Sequence, residues 1–169
     1  MAEALYGIVA DHASLSGQEL VYDLYCGLGT IGLLLARSAR AVVGVELSEA
    51  AVGGARKAAL ENGIPNAAFY AGETRRLLAE LRERAGAPDV AIVDPPRAGL
   101  GRRAVEALIA SAPARIVYVS CNPTTLAADA ARMAESGYLL QRLCPVDMFP
   151  QTHHIECVAT LRRGERSGA

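Results

Sequence analysis

The chain has 169 residues, 51% of them apolar, with a net charge of −1. That length suits one domain with one core, and the near-neutral charge argues against a free-standing nucleic-acid binder held by phosphate neutralisation alone. No apolar run approaches the roughly 20 residues of a membrane helix. Cys26, Cys121, Cys144 and Cys157 show no C-x-x-C pairing, and there is no signal-peptide pattern, so reduced thiols in a cytoplasm are expected.

In chain order, residues 3–12 read as a helix and 19–25 as a strand, followed by a glycine-rich turn at 26–29 and a helix at 30–39. A strand at 41–46 leads into a helix at 48–62, with Ser48 as N-cap and Gly63 as the C′ residue. Gly53 and Gly54 within that helix each cost it about 1 kcal/mol. A short strand at 67–70, a helix at 73–84, a strand at 90–93 and a helix at 101–111 follow. The β-branched run at 115–119 is a buried strand. Asn122-Pro123 breaks it, and Thr124 or Thr125 is expected to cap a helix at 124–136.

Residues 138–146 and 155–161 are both strand-like, yet the stretch between them is shorter than the dozen or so residues of a parallel crossover. The last strand therefore runs antiparallel, and its beginning lies on the carboxyl edge of the sheet. The pattern predicts a doubly wound, mostly parallel seven-stranded α/β sheet with an antiparallel last strand, Rossmann-like, over residues 1–163. The tail at 164–169 is expected to fray.

Three places on the carboxyl edge carry chemistry. Gly27, Gly29 and Gly32 fit G-x-G-x-x-G, the turn that lets a backbone approach a nucleotide, and Glu46 ends the next strand where an acid meets a ribose diol. A nicotinamide dinucleotide and S-adenosylmethionine both suit this pair of features. Asp94-Pro95-Pro96-Arg97 stiffens the end of the fourth strand, hangs Asp94 over the cleft, and offers Arg97 to a phosphate or carbonyl oxygen. A dehydrogenase needs no such element. Cys121 sits on the turn after the fifth strand, a setting that favours a reactive thiol.

That thiol has a use in methylation. Carbon 5 of a pyrimidine is a poor nucleophile, but a thiolate adding to carbon 6 makes an enolate able to attack a sulfonium methyl group. A base must then remove the carbon 5 proton. Glu156, at the start of the last strand, is on the correct edge. His153 and His154 are the alternatives for that task, and without matching ligand spacing they predict no metal site.

Asp94-Pro95-Pro96-Arg97, Ser120-Cys121-Asn122-Pro123 and Asp147-Met148-Phe149-Pro150-Gln151-Thr152-His153-His154-Ile155-Glu156 together resemble the catalytic domain of the RNA uracil-5-methyltransferase family. The resemblance covers nearly the whole chain. It implies a class I S-adenosylmethionine-dependent methyltransferase that makes 5-methyluridine in ribosomal or transfer RNA. It implies Cys121 as nucleophile, Glu156 as proton acceptor, and Tyr25, Gly27, Gly29, Thr30, Glu46, Glu73 and Asp94 as cofactor contacts. Arg97 and Asn122 fall on the substrate side. The wording of residues 147–156 is closer to the ribosomal-RNA members. Family members usually carry RNA-binding domains and an aromatic-x-Gln element that do not occur here, so RNA affinity is expected to be borrowed from such parts. The rival readings are a cytosine-5 or small-molecule methyltransferase, and an S-adenosylmethionine-binding domain without activity of its own. A dinucleotide oxidoreductase explains neither Cys121 nor Asp94.

Overall fold

The computed structural model describes residues 2–147 and 155–164. The elements alternate as α1 (Ala2–Ala13), β1 (Leu20–Leu24), α2 (Thr30–Ala36), β2 (Ala41–Glu46), α3 (Glu49–Glu61), β3 (Ala67–Ala71), α4 (Thr74–Ala85), β4 (Val90–Val93), α5 (Gly101–Ser111), β5 (Arg115–Ser120), α6 (Pro123–Glu135), β6 (Tyr138–Val146) and β7 (Glu156–Arg163). They build one seven-stranded sheet in the order β3-β2-β1-β4-β5-β7-β6. β7 alone runs against the others, pairing antiparallel with both β5 and β6. This is the sheet and the reversed last strand expected from the sequence. Of the tail expected at 164–169, Gly164 is described, its amide donating to the Gly137 carbonyl at 2.8 Å, and residues 165–169 lie outside the described residues.

Apolar content sets the layering. β1 and β4 are buried along their whole length, as strands covered on both faces must be. On one face Leu78 of α4, Leu108 of α5 and Met133 of α6 pack over Tyr22, Val93 and Tyr118. On the other, Leu5 and Val9 of α1 and Ile31 and Leu35 of α2 cover Val21, Ile92 and Val117. A buried hydrogen bond of 2.7 Å between His12 Nδ1 and Thr160 Oγ1 fixes α1 against β7. β6 is one of the two sheet edges, where Pro145 is tolerated because one side of the strand has no ladder to complete.

Local chemistry sets the element ends. Ser48 caps α3, its Oγ accepting from the Ala51 amide at 3.3 Å, and Gly63 follows the helix with φ 61°. At α6 the expectation needs correction: Asn122, not Thr124 or Thr125, is the cap. Its extended backbone lets Oδ1 accept from the Thr124 amide at 3.1 Å, and Pro123 begins the first turn with its φ already helical. α2 ends at Ala36, earlier than expected, because the chain tightens as the Ser38 amide donates to the Leu35 carbonyl at 2.9 Å.

Strand order reverses between β1 and β4, so a crevice opens beyond the carboxyl ends of these two strands. The functional residues gather there.

Candidate active site

The glycine turn leaves β1 through three left-handed residues: Tyr25 (φ 63°), Gly27 (φ 54°) and Gly29 (φ 75°). The Gly29 amide donates to the Cys26 carbonyl at 2.8 Å and closes the turn. A Cβ at Gly29 would stand 2.7 Å from the Phe69 ring, so the turn seats directly on β3 and only glycine fits. Beneath it lies Asp23, 1% exposed, whose Oδ2 accepts from the Gly32 amide at 2.8 Å while Oδ1 is buried with no partner. Burial, with the nearby charge of Asp94 adding to it, pushes the Asp23 carboxyl up to about 7. Glu46, half-buried at the end of β2, accepts from the Gly27 amide at 3.1 Å and the Ser48 amide at 3.0 Å.

Tyr25, Leu47, Glu73, Thr74, Leu100 and Arg103 line a cavity of about 390 Å³ beside this turn. Burial raises the Tyr25 phenol. Leu47 follows Glu46 and leaves 73% of its surface open at the cleft. Glu46, next to the lining residue Leu47, keeps lone pairs that suit a ribose diol, and Leu47 and Leu100 offer apolar surface to a flat base. These residues therefore suit the adenosyl half of S-adenosylmethionine. Glu73 lines the same cavity but is engaged by Arg75 and, at 3.1 Å, by Arg76, which hold its carboxyl below the ordinary range.

The thiol side of the edge is built by β4, β5 and β7. Cys121 is half-buried on the turn after β5. Ser120 Oγ shapes that turn by donating to the Asn122 carbonyl at 2.9 Å and accepting from the Asn122 amide at 3.0 Å. Ser120 pairs with Cys157 as the last step of the antiparallel ladder, so Cys121 leaves β5 and Glu156 begins β7 at the same end of the sheet. Asp94 continues β4, its amide donating to the Leu24 carbonyl at 3.3 Å. Its side chain is accessible from the open cleft, while the strand ends around it displace much of its bulk water. That desolvation, and then the Glu156 charge, push its carboxyl up to about 6. Burial pushes Cys26 up to about 12 and raises Cys157, so neither offers a thiolate at neutral pH.

The structure thus gathers Cys121, Glu156, Asp94, Tyr25, Gly27, Gly29, Glu46 and Glu73 along one edge. Thr30 is elsewhere: it lines an apolar groove of about 630 Å³ between α2 and α3, with Leu28, Leu33 and Ile64. Arg97 is exposed on the β4–α5 loop. The Asn122 side chain is used structurally, Oδ1 capping α6 and Nδ2 donating to the Arg97 carbonyl at 3.2 Å. His153 and His154 lie outside the described residues. Among the described residues no cluster of His, Cys, Asp and Glu could hold a metal ion, and no helix is long and apolar enough to cross a membrane. Sequence reasoning missed Leu47, Thr74, Leu100 and Arg103. Leu47 carried a signal in its place directly after the acidic strand end, whereas the others converge only through tertiary packing.

A seven-stranded sheet with one reversed strand, a glycine turn, an acidic second strand end and this crevice defines the S-adenosylmethionine-dependent methyltransferase class. A precorrin-6y C5,15-methyltransferase from Geobacter metallireducens shares the fold at TM-score 0.79 and 13% identity, over 94% of this chain and 88% of that one. Residues 3–164 match the model of the tRNA (uracil-5-)-methyltransferase family, and the chain belongs to that family. It is 51% identical over 161 residues to an uncharacterised RNA methyltransferase of Enterococcus faecalis, covering 95% of this chain and 35% of the relative. A second uncharacterised RNA methyltransferase, from Gloeobacter violaceus, is 49% identical, covering 96% and 34%. The Pyrococcus abyssi tRNA (uracil-54, C5)-methyltransferase, solved with S-adenosyl-L-homocysteine, superposes at TM-score 0.77 and 36% identity, over 95% of this chain and 38% of that one. The chain spans about a third of the length of the relatives it matches.

Proposed function

We propose that this domain transfers a methyl group from S-adenosylmethionine to carbon 5 of a uridine in RNA, by way of a covalent bond between Cys121 and carbon 6. The observation that supports this reading is the antiparallel register, which ends at Ser120 and Cys157, the residues next to Cys121 and Glu156, with Asp94 on the adjoining strand end. Tyr25, Gly27, Gly29, Glu46 and Glu73 hold the cofactor. When bound, S-adenosylmethionine supplies the methyl group as a sulfonium electrophile.

Cys121 Sγ, as thiolate, adds to carbon 6 of the uracil ring and pushes the ring electrons toward carbon 5 and the carbon 4 oxygen. Carbon 5 so becomes nucleophilic and would form the new carbon–carbon bond with the methyl group as the methyl–sulfur bond breaks, its electron pair staying on sulfur in the departing S-adenosylhomocysteine. Glu156 then accepts the proton that carbon 5 still carries. The electrons of that C–H bond restore the ring double bond as Sγ leaves, which returns Cys121. Arg97, exposed beside the turn, meets an RNA phosphate or a base carbonyl.

RNA affinity of this chain by itself is expected to be weak, since its net charge is −1 and most of the length of its relatives lies beyond it. Ribosomal RNA, indicated by the wording of residues 147–156, is the first substrate to test. Transfer RNA, on which the Pyrococcus abyssi enzyme acts, is the second. Transfer of labelled methyl groups to unmodified RNA of each kind, followed by nucleoside analysis, decides the matter. Label in 5-methyluridine is expected. Label in 5-methylcytidine, or cofactor binding with no transfer to either RNA, would overturn the proposal.

A further inference from the structure

We propose that Asp129 is a positioning residue that locks the Asp94–Arg97 turn to the Cys121 turn. The buried stripe of α6 is Leu126, Asp129 and Met133, so a carboxylate stands among apolar neighbours, 2% exposed. An acid in that place is costly unless its oxygens are met by donors. They are met by three donors drawn from three different segments. Oδ2 accepts from the Leu100 amide at 2.7 Å and from the Tyr118 hydroxyl at 2.8 Å, and Oδ1 accepts from Arg132 at 3.0 Å.

Two of the donors tie Asp129 to parts of the site, while Arg132 is its neighbour on α6. Leu100 ends the β4–α5 loop and lines the cofactor cleft. Tyr118 lies on β5, three residues before Cys121. The charge of Asp129 also reaches Tyr25, on the far wall of that cleft. The loop is seated on α6 just as closely: Gly99 has φ 78°, and a Cβ there would stand 2.7 Å from Asp129 Oδ2 and 3.0 Å from Thr125 Cβ. Two further bonds finish the joint, as Asn122 Nδ2 and Thr125 Oγ1 both donate to the Arg97 carbonyl, at 3.2 and 3.3 Å. The turn that carries Asp94 and Arg97 and the turn that carries Cys121 are therefore one body, with Asp129 at its centre.

The consequence for catalysis rests on the function proposed above. A thiol and a methyl donor held by different loops must meet one base at near-attack distance, where an error of about 1 Å costs on the order of a hundredfold in rate. Asp129 touches neither partner and acts only through Leu100 and Tyr118.

The two bonds share one oxygen, which gives the test its discrimination. Asp129→Asn keeps an acceptor for both Leu100 and Tyr118, whereas Asp129→Ala removes it. Site-resolved alkylation of Cys121 by iodoacetamide and hydrogen exchange at the Leu100 amide are followed in the whole chain, well below its melting temperature. In Asp129→Ala, Leu100 exchange should quicken by about tenfold or more and Cys121 alkylation should change by roughly threefold or more. Asp129→Asn should stay near wild type in both. Should Asp129→Ala fail to fold, Tyr118→Phe, which loses one bond, should move alkylation in the same direction by about half as much. Where methyl transfer is measurable, kcat should fall about tenfold in Asp129→Ala while the RNA KM stays within about twofold. Wild-type alkylation and exchange in Asp129→Ala and Tyr118→Phe would overturn the role. So would Asp129→Asn as impaired as Asp129→Ala. These two readouts need neither cofactor nor RNA, so a wild-type chain that bound no S-adenosylmethionine would count against the functional proposal alone.

Discussion

The Glu156 carboxylate acts on Asp94 across the ends of β4, β5 and β7, adding to the desolvation that lifts the Asp94 carboxyl to about 6. Asp94 at the end of β4 and Glu156 at the start of β7 are thus electrostatically coupled across the end of β5, the strand that leads into the Cys121 turn.

The roles of Cys121 and Glu156 differ in kind, and their variants should too. Cys121→Ala should abolish methyl transfer and every covalent enzyme–RNA species. Glu156→Gln should still add and methylate, then stall, so that a methyl-bearing adduct survives denaturing electrophoresis. Normal turnover by Glu156→Gln without a trapped species would move the base to His153 or His154. An active Cys121→Ala protein would end the covalent mechanism.

Glu46→Ala should weaken S-adenosylmethionine binding by about 1–3 kcal/mol, because the cofactor loses a charged acceptor and the Gly27 and Ser48 amides lose theirs. Isothermal calorimetry measures this directly. An unchanged affinity would show that the ribose lies elsewhere.

Gly29→Ala and Gly27→Ala should separate two causes of strain. Both force a side chain into left-handed backbone, worth about 1 kcal/mol or more. A Cβ at Gly27 meets open space, whereas at Gly29 it meets the Phe69 ring and the Ala55 Cβ. Denaturant titration should therefore find Gly29→Ala the less stable of the two by about 1–3 kcal/mol. Equal losses would mean that the turn is not seated on β3 as described.

Asp23 makes stability depend on pH in the direction opposite to a salt-bridged acid. Its folded value of about 7 stands above its ordinary 3.8, so between those values the native state keeps a proton that the unfolded chain releases. Stability from this group is complete below about pH 4 and is lost as pH rises to about 7. Thermal melts should show the wild-type melting temperature falling relative to Asp23→Asn across that window. Parallel profiles would mean that Asp23 ionises freely.

Much of this is legible in the sequence. Strand periodicity and the Asn122-Pro123 break located β5 and its turn, and the short connection before residue 155 sufficed to reverse β7. That reversal alone delivers Glu156 to the correct edge. The cap of α6 was misread because Thr and Asn have similar capping ability, and the choice turned on the extended backbone that Asn122 adopts before a proline. The resemblance gives Thr30 to the cofactor, whereas its side chain is exposed to the groove between α2 and α3, a placement that only the tertiary fold decides. Asp129 had no signal at all, since its partners Leu100 and Tyr118 are remote in sequence and two of its donors meet on a single oxygen.

The antiparallel pairing of β7 also dictates where this chain tolerates changes in length. Side chains alternate between the faces of a sheet, so one residue inserted just after Glu156 would turn its carboxylate to the opposite face. Residues added before Glu156 leave the ladder with β5 untouched. An insertion within β7 should therefore cost more than one outside the ladder, a boundary drawn by hydrogen-bond register rather than by chemistry.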